Sequence, residues 1–483
     1  MQSQAEKDID FAMKTVNTLG KYVGKYFYNC DYNLTQNAQN IFSHNFPNEH
    51  LQRQKPYKDL IINKIKKIFN ENELNNFDLE SIDGLTINIC DHHGILNHPW
   101  LYTANMISHF DRLFTKNRKA IPIITLDCGN CPLSEPFHKR GLEFHDVHVN
   151  LFPKSKKRQL VYTMPKTDIS IMEKVVEYGK HTEFNEKELE LIKKIDQIIQ
   201  NLDYSDCEKY SHQITKINYY LWPLLFEEKQ RDNLIDLVTL EHDEILVEFL
   251  IEFLQDESTF IFQMMFDKDF RDIVLNKFRG KYSAWDEDRN YGTHFFWYIN
   301  EKGIQERMYL NKNEELVSEN GSKIKFNKNE IIKLLMKKQL IPSMFVKFST
   351  IVCYLGCVPM GGFGSVNYIS TLKELWLEIM PEKFSKEKEL LKQVPTQGII
   401  TTPFAFEKNN GELKELFAFD MFYKGGFTKE YLDKVNQMRL DELMRPGLEF
   451  CYNYYTNLLP ENERVKIKFD KKAIHKPFEK LFV

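Results

Sequence analysis

Two bursts of polar side chains, each closing an apolar run, hold the residues of this chain best suited to chemistry. The run 85–90 ends in Asp91, His92, His93 and Gly94, and the run 121–126 ends in Asp127, Cys128, Gly129, Asn130, Cys131 and Pro132. A histidine at a strand end can act as a general base near neutral pH, and an adjacent carboxylate can orient it or raise its pKa. Asp91, His92, His93, His98 and Asp127 are therefore the candidate catalytic residues. Imidazole and thiolate are also good ligands for zinc or iron, and a two-residue gap lets the sulfurs of Cys128 and Cys131 reach one ion. Seven of the 14 histidines (His92, His93, His98, His109, His138, His145 and His148) lie between residues 91 and 148. Cys128, Cys131 and His145 are the candidate metal set. The same cysteine spacing suits a redox pair, although no thioredoxin-like helix start follows it. The plainer reading is structural: Asp91 caps a turn and the imidazoles bond main chain.

A third stretch, Gly361, Gly362, Phe363, Gly364 and Ser365, follows an apolar segment and precedes a helix carrying Tyr368, Leu372, Leu375 and Trp376. Its amides suit an anionic or carboxylate group at the helix N-terminus, and a packing turn is the alternative. Cys353 and Cys357 lie in the apolar segment before it and read as core.

The elements that must position these residues follow from the hydrophobic pattern. Stretch 84–132 has the form of a βαβ unit, with a crossover helix over 100–114 whose solvated end is Lys116, Asn117, Arg118 and Lys119. In open α/β sheets ligands sit outside the carboxyl ends of the strands, so both bursts should face one crevice. A strand is expected at 159–163, a hairpin from 294–299 to 305–310, a helix at 329–338, and a second strand, turn and helix at 350–378. The expected architecture is α/β: a Rossmann-like parallel sheet core with a helical connecting insertion and helical N- and C-terminal additions. It divides into a helical lead-in (1–83), the first half of the core (84–167), a helical insertion (168–278), the hairpin and second half of the core (279–395), and a C-terminal helical region (396–483). His212 and His242 fall in the insertion and read as ordinary helix residues.

Composition narrows the function. The 483 residues are 42% hydrophobic and 28% charged, an ordinary globular balance. A net charge of −4, with lysines scattered among glutamates, gives no reason to expect nucleic acid. No stretch approaches about 18 uninterrupted apolar residues, and the N-terminal residues lack a basic head and apolar core. A soluble cytoplasmic protein with mostly reduced cysteines is expected, acting on a small molecule and not on a membrane. The oligomeric state stays open.

Several short stretches, in order over roughly 84–380, resemble the cysteine-adding enzymes (cysteine ligases) of bacillithiol synthesis. The segment from His92 to Thr103 is similar to the family's Gly-Gln-Gln turn, Gly-Leu, Gly-Pro and Leu-Tyr-Thr. Ile121, Pro122, Ile123 and Ile124 resemble its Val-Pro-Val run. The hairpin through Arg307, the run 338–347, and Tyr354 to Tyr368 also resemble their counterparts. The resemblance implies a Rossmann-like core that joins a cysteine to an amino-sugar conjugate. It also implies that Asn130, Lys347 and Asn367, with Gly361, Gly362, Gly364 and Ser365, bind substrate. The family's Gln-Gln is His92-His93 here, its Glu-Asp-His-Asp cluster is the Asp127 to Cys131 stretch, and its arginine is Lys347. The leading expectation is a ligase-like enzyme, forming a carbon–nitrogen bond on a small amine or amino acid, with a nucleotide (ATP or ADP) or a zinc or iron ion as the expected cofactor. The alternatives are a metal-dependent phosphoesterase of the DHH type, suggested by Asp91, His92 and His93, and a metal-binding or catalytically inactive binding protein. The DHH type also needs an upstream His-x-x-Asp-x-Asp strand, which this chain lacks.

Overall fold

Five strands form one all-parallel sheet: β1 (Thr86–Asn88), β2 (Ile123–Asp127), β3 (Leu237–Glu241), β4 (Val358–Gly361) and β5 (Gly398–Ile399). A computed structural model describes residues 3–115, 119–281 and 284–482. Across the sheet the order is β5-β4-β1-β2-β3. The chain moves outward from β1 through β2 to β3, then returns to the other side of β1 for β4 and β5. The reversal falls between β1 and β4, and open α/β sheets bind their ligands beyond the carboxyl ends of the strands at such a point.

The strands form because both faces are buried. Ile123, Leu237, Met360 and Ile399 enter one apolar core, and Ile87, Leu126, Val238 and Leu240 enter another. Strands buried on both faces read as continuous apolar runs. Around the sheet lie α1 (Gln4–Leu19), α2 (Leu34–Phe42), α3 (Asn48–Ile68), α4 (Pro99–Ser108), α5 (Glu186–Gln200), α6 (Tyr210–Leu221), α7 (His242–Phe253), α8 (Met344–Phe348) and α9 (Phe363–Ile379). The expected hairpin is present, with Phe296–Ile299 paired to Gln305–Glu306 and Leu340–Pro342 added on its other side. Among the described residues no helix is long and apolar enough to cross a membrane.

A buried polar row ties helices to the strands near the crevice. Asn88 Nδ2 donates to Asn105 Oδ1 on α4 at 2.7 Å. Asn218 on α6 donates to Gly94 O at 2.9 Å and to Thr239 Oγ1 at 3.1 Å, and it accepts from Leu96 N at 2.8 Å. Each such bond nets about 1 kcal/mol, and removing one partner costs more because the other stays buried. The loop after β1 is thus held from beneath by two helices.

Three expectations are corrected. Stretch 168–278 is not all helical, because it supplies β3, paired to β2 over five residues from Ile123↔Leu237 to Asp127↔Glu241. The region after 396 opens with β5 and a hairpin, Phe406–Asn409 with Glu412–Glu415, before its helices begin. The strand expected at 159–163 is a single tight turn, Val161–Thr163. Its main chain braces the cysteine loop instead of joining the sheet: Val161 N donates to Cys131 O and Tyr162 N to Gly129 O, both at 3.0 Å. The expected helix end at 116–118 lies outside the described residues.

Candidate active site at the carboxyl edge of the sheet

Beyond its last ladder residue β1 keeps its pairing with β2. Cys128 N donates to Asp91 O at 2.9 Å, His93 N donates to Cys128 O at 3.0 Å, and His92 stands opposite Cys128 as a parallel bridge. Residues paired this way share a face, so the His92 imidazole and the Cys128 thiol emerge side by side. The two bursts do meet at one edge.

His92 is the histidine in working position. Its Nδ1 donates to Glu135 Oε2 at 2.8 Å, and its side chain remains 32% exposed. Glu135 is itself held, accepting from the main-chain N–H groups of Phe137 and His138. Burial alone would depress the imidazole, but the Glu135 bond, with the Cys128 and Asp91 charges, raises it to about 9. His92 is therefore an imidazolium at neutral pH. His138 Nε2 donates to His92 O at 2.9 Å and lies over Gly94, where a Cβ would sit 2.7 Å from the ring. Only glycine leaves that space.

His93 does different work. It is 1% exposed, its Nε2 donates to Ser211 O at 2.8 Å, and its Nδ1 lies 3.2 Å from Asp127 Oδ2. Burial opposes its charge and the Asp127 bond outweighs burial, raising the imidazole. His93 and Asp127, expected as catalytic residues, form a buried ion pair that joins β1, β2 and α6. His98 caps α4, accepting from Trp100 N at 3.3 Å between the rings of Phe137 and Phe417. Burial lowers it to about 3, so it is neutral and serves as a cap, not as an acid or base. Asp91 is buried, its Oδ1 3.8 Å from His138 Nε2 and without a hydrogen bond. Burial raises its carboxyl to about 6.

The cysteine loop is fixed from β3. Asp243 Oδ2 accepts the N–H of Gly129 and of Asn130, each at 2.8 Å, and Asp243 Oδ1 pairs with Lys347. Lys347, expected to bind substrate, is 4% exposed and spent on this pair. Beside it Glu241 pairs with Lys209 at 2.8 Å, and Glu244 with Lys209 at 3.2 Å and His212 at 3.0 Å. His212 is thus part of this charged lattice, while burial lowers His242 to about 3. Cys131 donates from Sγ to Cys128 O at 3.1 Å. The Cys131 thiol beside it lowers the Cys128 pKa, burial opposes, and Lys347 and His92 add to the lowering.

The expected metal set is not brought together. His145 sits in the turn between Gly141–Phe144 and Val147–Asn150, its Nδ1 2.7 Å from Glu188 Oε1 and its Nε2 3.5 Å from Asp420 Oδ1. Among the described residues no three His, Cys, Asp or Glu side chains are placed to hold one ion. No step is assigned to a metal.

On the far side of the crevice, Gly362 opens α9 without a side-chain cap, leaving the first-turn amides of Phe363, Gly364 and Ser365 uncapped. A Cβ on Gly364 would meet nothing within 4 Å, so that turn is open. Gly361 is packed by Ser365, and Gly362 lies close to Thr401 and Cys90, whose own side chains are 2.7 Å apart. Asn367 is turned away, donating to Tyr454 OH and accepting from Tyr455 OH. The carboxyl edge of the sheet therefore carries an imidazolium and a thiol after β1 and β2 and an uncapped helix N-terminus after β4.

Glu135, Glu241, Asp243 and Thr401 complete the site and were not singled out from sequence, and His138 was named only as a member of the histidine cluster. Glu135 lies four residues past Cys131, within the same polar burst. Neither a protein-family model nor a curated protein sequence matches this chain.

Proposed function

We propose that this chain is an enzyme with a Rossmann-like core whose reaction is ligase-like, joining a small amine or amino acid to an acceptor. The observation that carries the proposal is the His92–Glu135 pair. One ring nitrogen is locked to a buried carboxylate, and the side chain keeps 32% of its surface exposed at the carboxyl end of the sheet. Groups whose charge is tuned this way cluster at reacting centres.

At neutral pH His92 holds a proton at Nε2 and delivers it to the group that leaves as the new bond forms. The uncapped first turn of α9, at Phe363, Gly364 and Ser365, is suited to a carboxylate or phosphate of the substrate. The same turn would suit the phosphate of a nucleotide, which when bound would activate the substrate carboxylate by giving it a phosphoryl or adenylyl group, the group that leaves when the amine attacks. Asn130, two residues past Cys128, has its N–H held by Asp243. The resemblance to the cysteine-adding enzymes supplies the first substrates to test, cysteine and an amino-sugar conjugate.

Incubation of the full chain with those two compounds, with and without ATP, should give a product whose mass is their sum less water. His92→Gln should remove the product while thermal unfolding stays unchanged. A wild-type protein that makes no product over a panel of amino acids and amino sugars, and binds none of them, would overturn the ligase reading in favour of an inactive scaffold. The phosphoesterase alternative requires several ligands converging on a cation, and Asp91, His92 and His93 point to three different partners here.

A further inference from the structure

The thiols of Cys128 and Cys131 are the part of the crevice that proton transfer by His92 leaves unused, and they are unequal. Cys128 is half-buried at the mouth, whereas Cys131 is 5% exposed and lies beneath, its Sγ 3.1 Å from the Cys128 carbonyl. Neither is in a disulfide. The two residues between them are clamped from both sides, by Asp243 on the N–H groups of Gly129 and Asn130 and by the N–H groups of Val161 and Tyr162 on Cys131 O and Gly129 O. The loop thus holds a half-buried cysteine beside a buried one.

The surroundings divide the labour further. Lys347 and the His92 imidazolium favour a thiolate at Cys128, and the Cys131 thiol donates toward it while keeping its own proton. The remaining cysteines offer no such pairing of roles. Cys30, Cys207, Cys353, Cys357 and Cys451 are buried, and burial pushes their thiols up. Cys90 is bonded to Thr401, and burial pushes it up to about 12. A half-buried thiol lowered by its neighbours, with a buried thiol beyond the next two residues, is the arrangement of an attacking and a resolving thiol.

We infer that Cys128 and Cys131 form a dithiol that exchanges with small-molecule disulfides, Cys128 attacking and Cys131 resolving. The Cys128 thiolate attacks one sulfur of the substrate disulfide. The substrate S–S bond breaks, a mixed disulfide forms on Cys128, and the first substrate thiolate leaves and takes a proton. Cys131 then loses its proton and attacks the Cys128 sulfur, closing the Cys128–Cys131 disulfide and releasing the second substrate thiol. Two electrons pass from the protein to the substrate, and a small reducing dithiol resets the pair. This activity goes beyond the joining reaction.

The test uses bis(2-hydroxyethyl) disulfide as the probe and intact-mass and peptide mapping as the readout. Wild-type protein should lose two hydrogens and gain a Cys128–Cys131 link. Cys131→Ser and Cys131→Ala should each stop at one mercaptoethanol adduct on Cys128, and Cys128→Ser should form neither adduct nor link. With dithiothreitol as reductant, wild type should turn the probe over and Cys128→Ser should lose that turnover. The inference is overturned if the adduct in both Cys131 variants maps to Cys90 or another cysteine, or if folded wild type keeps both thiols in excess probe. The readout is a mass on sulfur, so failure of the joining reaction would leave this result standing on its own.

Discussion

His92 and Cys128 stand opposite each other on adjacent parallel strand ends, joined as a bridge whose neighbouring hydrogen bonds run from Cys128 N to Asp91 O and from His93 N to Cys128 O. Their spacing is set by the main chain. A proton donor and a sulfur are therefore held together by the sheet, with no loop needed to close.

The acid role proposed for His92 implies a pH profile. Its imidazole is raised to about 9, so activity that needs the imidazolium should hold through neutrality and fall as pH rises past about 9. Glu135→Gln removes the carboxylate that favours the charged ring, so that alkaline limb should move toward lower pH. His92→Gln should lower the rate by about 10²- to 10⁴-fold. An alkaline limb that Glu135→Gln leaves in place would show that another group titrates.

His93 and Asp127 should matter to stability and not directly to the chemistry. His93→Ala leaves a buried carboxylate without its partner, at a cost of about 3–5 kcal/mol. Urea unfolding should show a lower midpoint at unchanged slope. An unchanged midpoint with lost turnover would return His93 to the catalytic set.

Asp91 should give the folded state an acid preference. Its carboxyl is raised from 3.8 to about 6 by burial, so the folded chain binds this proton more tightly than the unfolded chain does. The stabilisation is fully present below 3.8 and is lost as pH rises through about 6, amounting to roughly 2–3 kcal/mol by pH 7. Asp91→Asn should flatten that part of the stability curve, with little change near pH 4 and a gain at pH 7. A variant whose curve runs parallel to wild type would disprove the assignment.

Gly129 should tolerate no side chain. A Cβ there would sit 2.1 Å from Glu241 Oε1, and Glu241 is tied to Lys209. Gly129→Ala should cost about 1–3 kcal/mol by overpacking, read as a lowered melting temperature. A melting temperature equal to wild type would mean that Glu241 is free to move.

What could be read from the sequence divides along physical lines. The two bursts at Asp91 and Asp127 were legible because an apolar run stops abruptly at each. The third burst, Glu241 to Glu244, was hidden because the apolar run 237–240 resumes at Ile245 and continues to Leu250, so a strand and a helix merged into one helical pattern. Asp243, which fixes the cysteine loop, was lost with it. The role of His93 was also out of reach, since Ser211 O and Asp127 become its partners only after α6 has packed. The partner of Lys347 was also hidden, because nothing in its local sequence announces Asp243. The hairpin at 296–306, by contrast, depends on a local turn and was found.

The central pairing of the sheet also bears on how the chain is made. Thr86 in β1 pairs with Val358 in β4, positions separated by 358 − 86 = 272 residues. During synthesis β1 therefore leaves the ribosome long before the strand that will cover one of its edges. In that interval it has only β2 and β3 on one side, and its other edge carries unpaired amides and carbonyls open to any neighbouring strand. Pairings this distant in sequence form slowly. A chain stopped before β4 should aggregate, and the complete chain should gain in soluble yield from slower, cooler expression or from added chaperones.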